Sequence, residues 1–392
     1  MTTRLYYTDS YLTAFDAEVR RAETHDGRPA VILDRTAFYP TSGGQPFDTG
    51  RLGAAAVIEV VDREDGEILH IVDRPLEAGA VHGTIDWVRR FDHMQQHTGQ
   101  HLLSAAFDRL FQVRTESFHL GPAAATIDLA RLVSAQEIEA AEDEVNRVVS
   151  EDRPVTIRFA EAGDAASLPL RKASAREGQL RIVDVEAFDV SACGGTHVAR
   201  TGGVGMVAAL GSERVKGGTR LEFVCGARAL RAFRLQRSAV AASVRLVSVL
   251  PEELPAGIER LQAEARDSRR LLKDARARLA GFEADALAAG AVRRGDAVVV
   301  IASLEGWDQA GLKSIASAIA SRPAHVAMLF SAPSPGFAVI ARAGDASFDC
   351  AAALTKLIAA FGGKGGGRPD FAQGGGLQGG AADLVSFATS LF

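Results

Sequence analysis

Apolar positions along this chain change their period several times, and each change predicts a different kind of element. Up to about residue 90 they come in short runs, Ala30-Val-Ile-Leu33, Ala56-Val-Ile-Glu-Val-Val61 and Glu67-Ile-Leu-His-Ile-Val72, separated by Asp-Gly and Gly-Gly pairs. Short strands punctuated by turn residues predict an antiparallel barrel or sandwich. From Arg89 to about Arg231 the periods mix: Met94 to Phe107 has helical spacing, Ala135–Ser150 reads as an acidic helix, and strands are expected around Leu180–Val185 and Leu221–Cys225. That order predicts an α+β region. Between Pro255 and about Leu287, residues Ile258, Leu261, Ala265, Ser268, Leu272, Ala275, Leu279, Phe282 and Ala286 alternate spacings of three and four, which predicts a coiled-coil seam with small residues at several core positions. Beyond Arg294, strands at Ala297–Ala302, Val326–Phe330 and Phe337–Ala341 fall in the order β-α-β-β-α, a compact α/β module. The expected fold is multidomain α+β: an antiparallel β-barrel-like domain over 1–90, an α+β domain over 91–240, a helical coiled-coil segment over 253–288 and an α/β domain over 294–392.

Composition narrows this only a little. With 392 residues, 47% hydrophobic and 24% charged, the chain has room for two or three domains with ordinary cores. A net charge of -5 argues against bulk attraction to nucleic acid, so any such contact must come from local basic patches. One lies on the heptad helix, where Arg266, Arg269, Arg270, Lys273, Arg276 and Arg278 outnumber Asp267 and Asp274; it serves as a solvated face, as phosphate contact, or as both. Cys193, Cys225 and Cys350 are odd in number and far apart, which does not suggest a disulfide framework. The N-terminus lacks an apolar targeting stretch, and no run approaches the roughly 20 apolar residues of a membrane helix. A cytoplasmic protein without membrane contact is expected.

Two short strings carry the candidate chemistry. In His97-Thr98-Gly99-Gln100-His101 two imidazoles sit four residues apart on the predicted helix, so both leave one face. Such a pair is commonly only a solvated helix face. Cys193-Gly194-Gly195-Thr196-His197 adds a thiolate and a third imidazole across a turn that paired glycines allow to fold tightly, completing a set of the kind zinc accepts. Thr98 stands where helical zinc proteases carry glutamate, so this is no protease-type site with a built-in base. Three ligands would leave a position open to acidify a water, whereas four would close the shell; the sequence leaves both open. His93, one turn earlier, reads as backing the ligands or facing substrate.

The pairing of His-Thr-Gly-Gln-His-Leu-Leu with Cys-Gly-Gly-Thr-His resembles the editing domain of alanyl-tRNA synthetase and its free-standing relatives, the AlaX editing proteins. Thr36-Ala-Phe-Tyr-Pro-Thr-Ser-Gly-Gly-Gln-Pro-Phe-Asp-Thr-Gly50 is similar to the glycine-rich signature preceding the metal helix there, and Gly362-Gly-Lys-Gly-Gly-Gly-Arg-Pro-Asp-Phe-Ala-Gln-Gly-Gly-Gly376 to the C-terminal domain of the same synthetases. The resemblance runs from about residue 4 to the C-terminus. The editing signature begins by Thr36, leaving no room for an aminoacylation domain, so the resemblance implies a long-form trans-editing hydrolase needing no ATP. It would deacylate Ser-tRNA(Ala), Gly-tRNA(Ala) or both, with Zn2+ on His97, His101, Cys193 and His197. On its own Ser42-Gly43-Gly44 is a hairpin turn. The resemblance assigns Thr41, Gly43, Gly44 and Gln45 to catalysis, with the glycine amides as donors, Gln45 toward the ester carbonyl or water, and the Thr41 hydroxyl reading a serine side chain. It implies tRNA binding at Lys364 and Arg368, which a flexible glycine backbone would present, and the heptads suggest a homodimer. A zinc-containing tRNA-binding protein without hydrolytic activity is the alternative from another class. An editing deacylase for another aminoacyl-tRNA is a third, since threonyl-tRNA synthetases have a related His/Cys site.

Overall fold

A computed structural model describes residues 1–161, 169–171, 179–332 and 334–392. They form two compact units, Met1–Ala242 and Ser243–Phe392.

The first unit opens with a closed antiparallel barrel in the order Ala14–His25, Arg28–Leu33, Ile68–Val72, Ala55–Asp62, Gly50–Leu52 and Gly79–Ile85. Its first hairpin turns through Asp26 and Gly27, at φ 48° and 75°, the two-residue left-handed turn whose twist matches that of paired strands. Phe15, Val19, Val31, Leu33, Leu52, Val57, Val60 and Ile68 point inward and fill it. Between Thr36 and Gly50 the chain leaves the barrel as a loop carrying Thr41 to Gln45. Asp48 closes this loop: one of its carboxylate oxygens accepts from the Tyr39 N–H at 2.6 Å, and its own N–H donates to the Tyr39 carbonyl at 2.9 Å.

Helix α1 (Trp87–Phe111) starts on the Asp86 side chain, which accepts from the Arg89 N–H. Every residue from His93 to Phe107 is buried, so the helix is wrapped on all sides. One wrap is a four-stranded antiparallel sheet, Val207–Val215, Gly218–Cys225, Ala125–Leu129 and Thr115–Leu120; another is the three-stranded sheet Val155–Glu161, Gln179–Val185 and Asp189–Ala192. Helix α2 (Ala135–Ser150), begun by a Ser134/Glu137 capping box, packs against α1. Gly99 allows the close approach of α1 to strand Gly218–Cys225, since a Cβ there would sit 2.3 Å from the Cys225 sulfur. Arg90 ties α1 to the barrel loop. It is wholly buried, donates to both Asp48 oxygens, and also reaches the carbonyls of Ser10 and Ala37. The expected boundary at residue 90 therefore falls inside one compact unit, because this buried pair fastens its two sides together.

Helix α3 (Ala227–Val247) follows. In the second unit α4 spans Leu254–Ala289, and a six-stranded sheet runs Val292–Arg294, Ala297–Glu305, His325–Ala332, Gly336–Arg342, Phe371–Leu377 and Lys364–Arg368. Its one parallel pair is bridged by α5 (Gln309–Ala320), while α6 (Cys350–Phe361) and α7 (Ala381–Thr389) supply a second core. The heptad helix differs from expectation in which face is packed. Ala280 and Ala284, outside the predicted seam, are buried with Leu312, Ile315 and Ile319 of α5, whereas Leu272, Leu279 and Phe282 are 54–66% exposed. Nor is Gly362 to Arg368 a flexible loop. Lys364–Arg368 is an exposed edge strand, and a Cβ at Gly365 or Gly367 would come within 2.5 Å of the neighbouring strand's backbone, so glycine is what lets it pair. Among the described residues no helix is long and apolar enough to cross a membrane.

Candidate metal centre and its cavity

Helix α1 presents His97 and His101 one turn apart, and the chain emerging from strand Asp189–Ala192 brings Cys193 and His197 over them. One ligand atom from each of the four lies within 4.8 Å of the others. Cys193 Sγ is 3.4 Å from both His97 Nε2 and His197 Nε2. Zinc–nitrogen and zinc–sulfur bonds of about 2.0 and 2.3 Å imply tetrahedral edges of about 3.3–3.6 Å, which the two 3.4 Å separations match. Gly195 makes the turn possible, because a Cβ there would fall 2.1 Å from the His97 ring.

Each imidazole is held at its other nitrogen, which turns Nε2 toward the centre. His97 Nδ1 donates to Gln45 Oε1 at 2.8 Å, His197 Nδ1 to Thr98 Oγ1 at 3.1 Å, and His101 Nδ1 to Asp189 Oδ2 at 3.0 Å. Asp189 in turn accepts from Arg171 and the Ser191 hydroxyl. Burial works against the charged forms of Cys193, Asp189 and His101, and their neighbours act in the opposite direction. The nearby imidazoles of His97 and His197 draw the Cys193 thiol well below its ordinary value. His101 and Arg171 keep Asp189 below the usual carboxylate range, and Asp189 with Cys193 pushes His101 up to about 9. His197 goes the other way, to about 3, chiefly through burial.

His97, His101 and Cys193 line a cavity of about 500 Å³ whose walls include Tyr7, Gly43, Gln100, Phe118, Phe159 and Arg181. Two buried side-chain atoms on this wall lack any hydrogen-bond partner, Gln100 Oε1 and Arg181 Nη2.

The glycine-rich loop is placed differently from the sequence reading. Gly43 lines the cavity. Gly44, at φ 85°, does not; it packs on Phe118, and its carbonyl accepts from the Leu120 N–H. Gln45 is fully buried, and its carboxamide is committed: Oε1 accepts from His97 and from the Thr196 N–H, and Nε2 donates to Thr196 Oγ1. Through these bonds it contacts the His97 ring directly. Thr41 is exposed, its hydroxyl accepts from the Phe47 N–H, and it is not among the residues that line the cavity. His93 is buried outside the cluster, its Nδ1 unpartnered, and burial lowers it to about 4. Lys364 and Arg368 are exposed on the edge strand, the latter 3.4 Å from Asp370. Sequence reasoning missed Asp189, Thr196, Gln100 and Arg181; Gln100, inside the His string, and Thr196, inside the Cys string, carried a signal, and the other two did not.

Residues 180–222 match the family model described as "Threonyl and Alanyl tRNA synthetase second additional domain", and residues 296–392 match the DHHA1 domain. That pairing defines a protein of the alanyl-tRNA synthetase editing class. The alanyl-tRNA editing protein AlaX-L of Pyrococcus horikoshii is 31% identical over 387 residues, 95% of this chain and 94% of that protein. The alanyl-tRNA editing protein Aarsd1-B of Xenopus laevis is 36% identical over 59% of this chain and 58% of its own length. The alanine–tRNA ligase of Pyrococcus furiosus is 37% identical over 71% of this chain, but the match spans only 32% of the ligase. The chain belongs to the AlaX family of alanyl-tRNA editing proteins.

Proposed function

We propose that the protein is a trans-editing deacylase, hydrolysing the ester of Ser-tRNA(Ala) or Gly-tRNA(Ala) with zinc held by His97, His101, Cys193 and His197. The observation that carries this is the position of three of the four clustered donors, His97, His101 and Cys193, in the wall of a cavity of about 500 Å³, within the size range of small-ligand sites. Zinc bound there supplies Lewis acidity toward a carbonyl oxygen or a water. The chain's own residues do the rest. Gln45, Thr98 and Asp189 fix the three imidazoles, the Cys193 thiolate supplies the negative charge, and Gly43 lets backbone approach the ligand.

Selectivity we assign to Gln100 in place of Thr41. Its Oε1 is an unpartnered acceptor in a side chain that lines the cavity, positioned through a bond from Nε2 to Ser104. A serine hydroxyl could donate to it and an alanine methyl could not. Gln100→Leu should therefore narrow the ratio of seryl to alanyl deacylation on the order of 10- to 100-fold with zinc content unchanged. Rates on alanine tRNA charged with serine, glycine and alanine test both claims. Absence of deacylation by the zinc-loaded protein would refute hydrolysis; an unchanged ratio in the variant would refute the role of Gln100.

A second reading is favoured by the ligand count, since four protein donors are the mark of a closed structural zinc site. Under it the protein binds tRNA without hydrolysing it, and the same assay decides.

For tRNA we propose contact through Lys364, Arg368 and the basic face of α4, and a homodimer through the exposed Leu272, Leu279 and Phe282. Lys364→Ala with Arg368→Ala should weaken tRNA binding and flatten its dependence on salt by a slope of roughly 1 to 2. Titrations at several salt concentrations showing one common slope would remove these residues from the interface.

A further inference from the structure

Arg181 stands out among the groups the reading above does not use. It is 7% exposed. Nε donates to the Tyr7 carbonyl at 2.9 Å, Nη1 donates to the Cys193 carbonyl at 2.7 Å, and the guanidinium lies 5.5 Å from the Tyr7 ring centroid. Among the described residues the ionisable groups that act most strongly on it are Cys193, Tyr7, Tyr39 and Tyr6, none of them a carboxylate. Nη2 is buried with no hydrogen-bond partner among the described residues. Burying a cation without a paired anion is costly, and native structures rarely leave such a donor empty. In contrast, the buried Arg90 and Arg228 each meet an aspartate. Arg181 also lines the cavity that His97, His101 and Cys193 line. The cavity therefore has a fixed positive wall beside the metal donors, and Phe118, Phe159 and Leu180 add flat or apolar surface against which a purine and ribose can rest.

We propose that Arg181 binds the phosphate of the terminal nucleotide of the acylated RNA, so that the cavity is read as a nucleotide subsite with its anionic end at Arg181 and its ester at the metal donors. This rests on the deacylase reading and deepens it, adding the group that recognises the carrier rather than the amino acid. A guanidinium held at two nitrogens, with its third buried and unpartnered among the described residues, can give a directed, charge-assisted bond to a phosphate oxygen once a small shift of the side chain turns it into the cavity. The developing oxyanion of the ester is the other anion that could meet it, and the two make different predictions. A phosphate contact acts on binding before any chemistry; an oxyanion contact acts on turnover alone.

The test is the affinity of the zinc-loaded full chain for adenosine 5′-monophosphate and for adenosine, measured by calorimetry at low salt. The native protein should prefer the nucleotide on the order of 10- to 100-fold. Arg181→Met should abolish that preference while adenosine affinity and zinc content stay unchanged, and Arg181→Lys should keep part of it. Equal affinity of the native protein for both probes would overturn the proposal, as would a preference that survives in Arg181→Met. Loss of zinc in both variants would also overturn it, by making Arg181 a brace for the Cys193 turn. Lowered turnover with the preference intact would give the guanidinium to the oxyanion instead. If mischarged alanine tRNA is not deacylated, the deacylase reading fails while the nucleotide preference still stands or falls by itself.

Discussion

Cys193→Ala should strip the protein of stoichiometric zinc and, with it, of deacylation. Cys193 is the one anionic donor of the four, and its sulfur sits 3.4 Å from two of the imidazole nitrogens. Without the thiolate, three imidazoles face one another in a buried pocket with ring centroids 4.5 to 5.4 Å apart, and a dication there has no anionic donor, only the Asp189 carboxylate behind His101, which it shares with Arg171. Structural zinc sites bind with about 10–16 kcal/mol, so losing one of four donors costs roughly a quarter of that, about 2.5–4 kcal/mol, a weakening of roughly 70- to 900-fold. Elemental analysis after dialysis against a weak chelator, in parallel with deacylation of seryl alanine tRNA, measures both. Three histidines can themselves hold a catalytic zinc, so the outcome is not trivial. A variant that keeps a full equivalent of zinc and native rates would show that Cys193 is outside the shell.

The four donors were legible because their chemistry is written in short-range spacing. His97 and His101 share a helix face by period alone, and Cys193 and His197 share a turn because two glycines stand between them. What orients them was not legible. Asp189 is 88 residues from His101, and Gln45 is 52 from His97; no local pattern relates a carboxylate or an amide to a ring it meets only after folding. Thr41 and Gln45 were drawn to the reacting centre by the signature around them, yet a sequence does not show which way a side chain points from an irregular loop. Here Asp48 and Arg90 pin that loop so that Gln45 turns inward and Thr41 outward.

A similar limit applies in the second unit. The heptad of α4 is real as an apolar stripe, but Ala280 and Ala284 lie off it, and their small size is what allows α5 to pack closely. Small residues carry little signal in a hydrophobic pattern even where they decide a contact. The Lys364–Arg368 strand was hidden for the opposite reason. Three of its five residues are glycine, which composition reads as loop, and only the partner backbone reveals that close pairing requires them.

Gln45 offers the sharpest division between orienting a ligand and touching the substrate. Gln45→Ala removes the acceptor that serves His97 Nδ1 and the Thr196 N–H, leaving two donors buried without partners. Each such orphan costs about 1–3 kcal/mol, so the variant should be measurably less stable. Freed of its partner, the His97 ring can turn, and zinc affinity should fall on the order of 10- to 100-fold. Deacylation should fall in parallel when zinc is limiting and recover when zinc is supplied in excess. Gln45→Glu keeps an oxygen at Oε1, and its second oxygen can accept from the Thr196 hydroxyl that now accepts from Nε2. A carboxylate there would bring the charge around the dication to balance with the thiolate, so zinc affinity should be retained within a few-fold. The measurements are zinc competition against a chromophoric chelator and deacylation rates across a zinc titration for both variants. Activity lost in Gln45→Ala at full zinc occupancy, and equally in Gln45→Glu, would return Gln45 to the reacting centre and refute its role as the residue that positions His97.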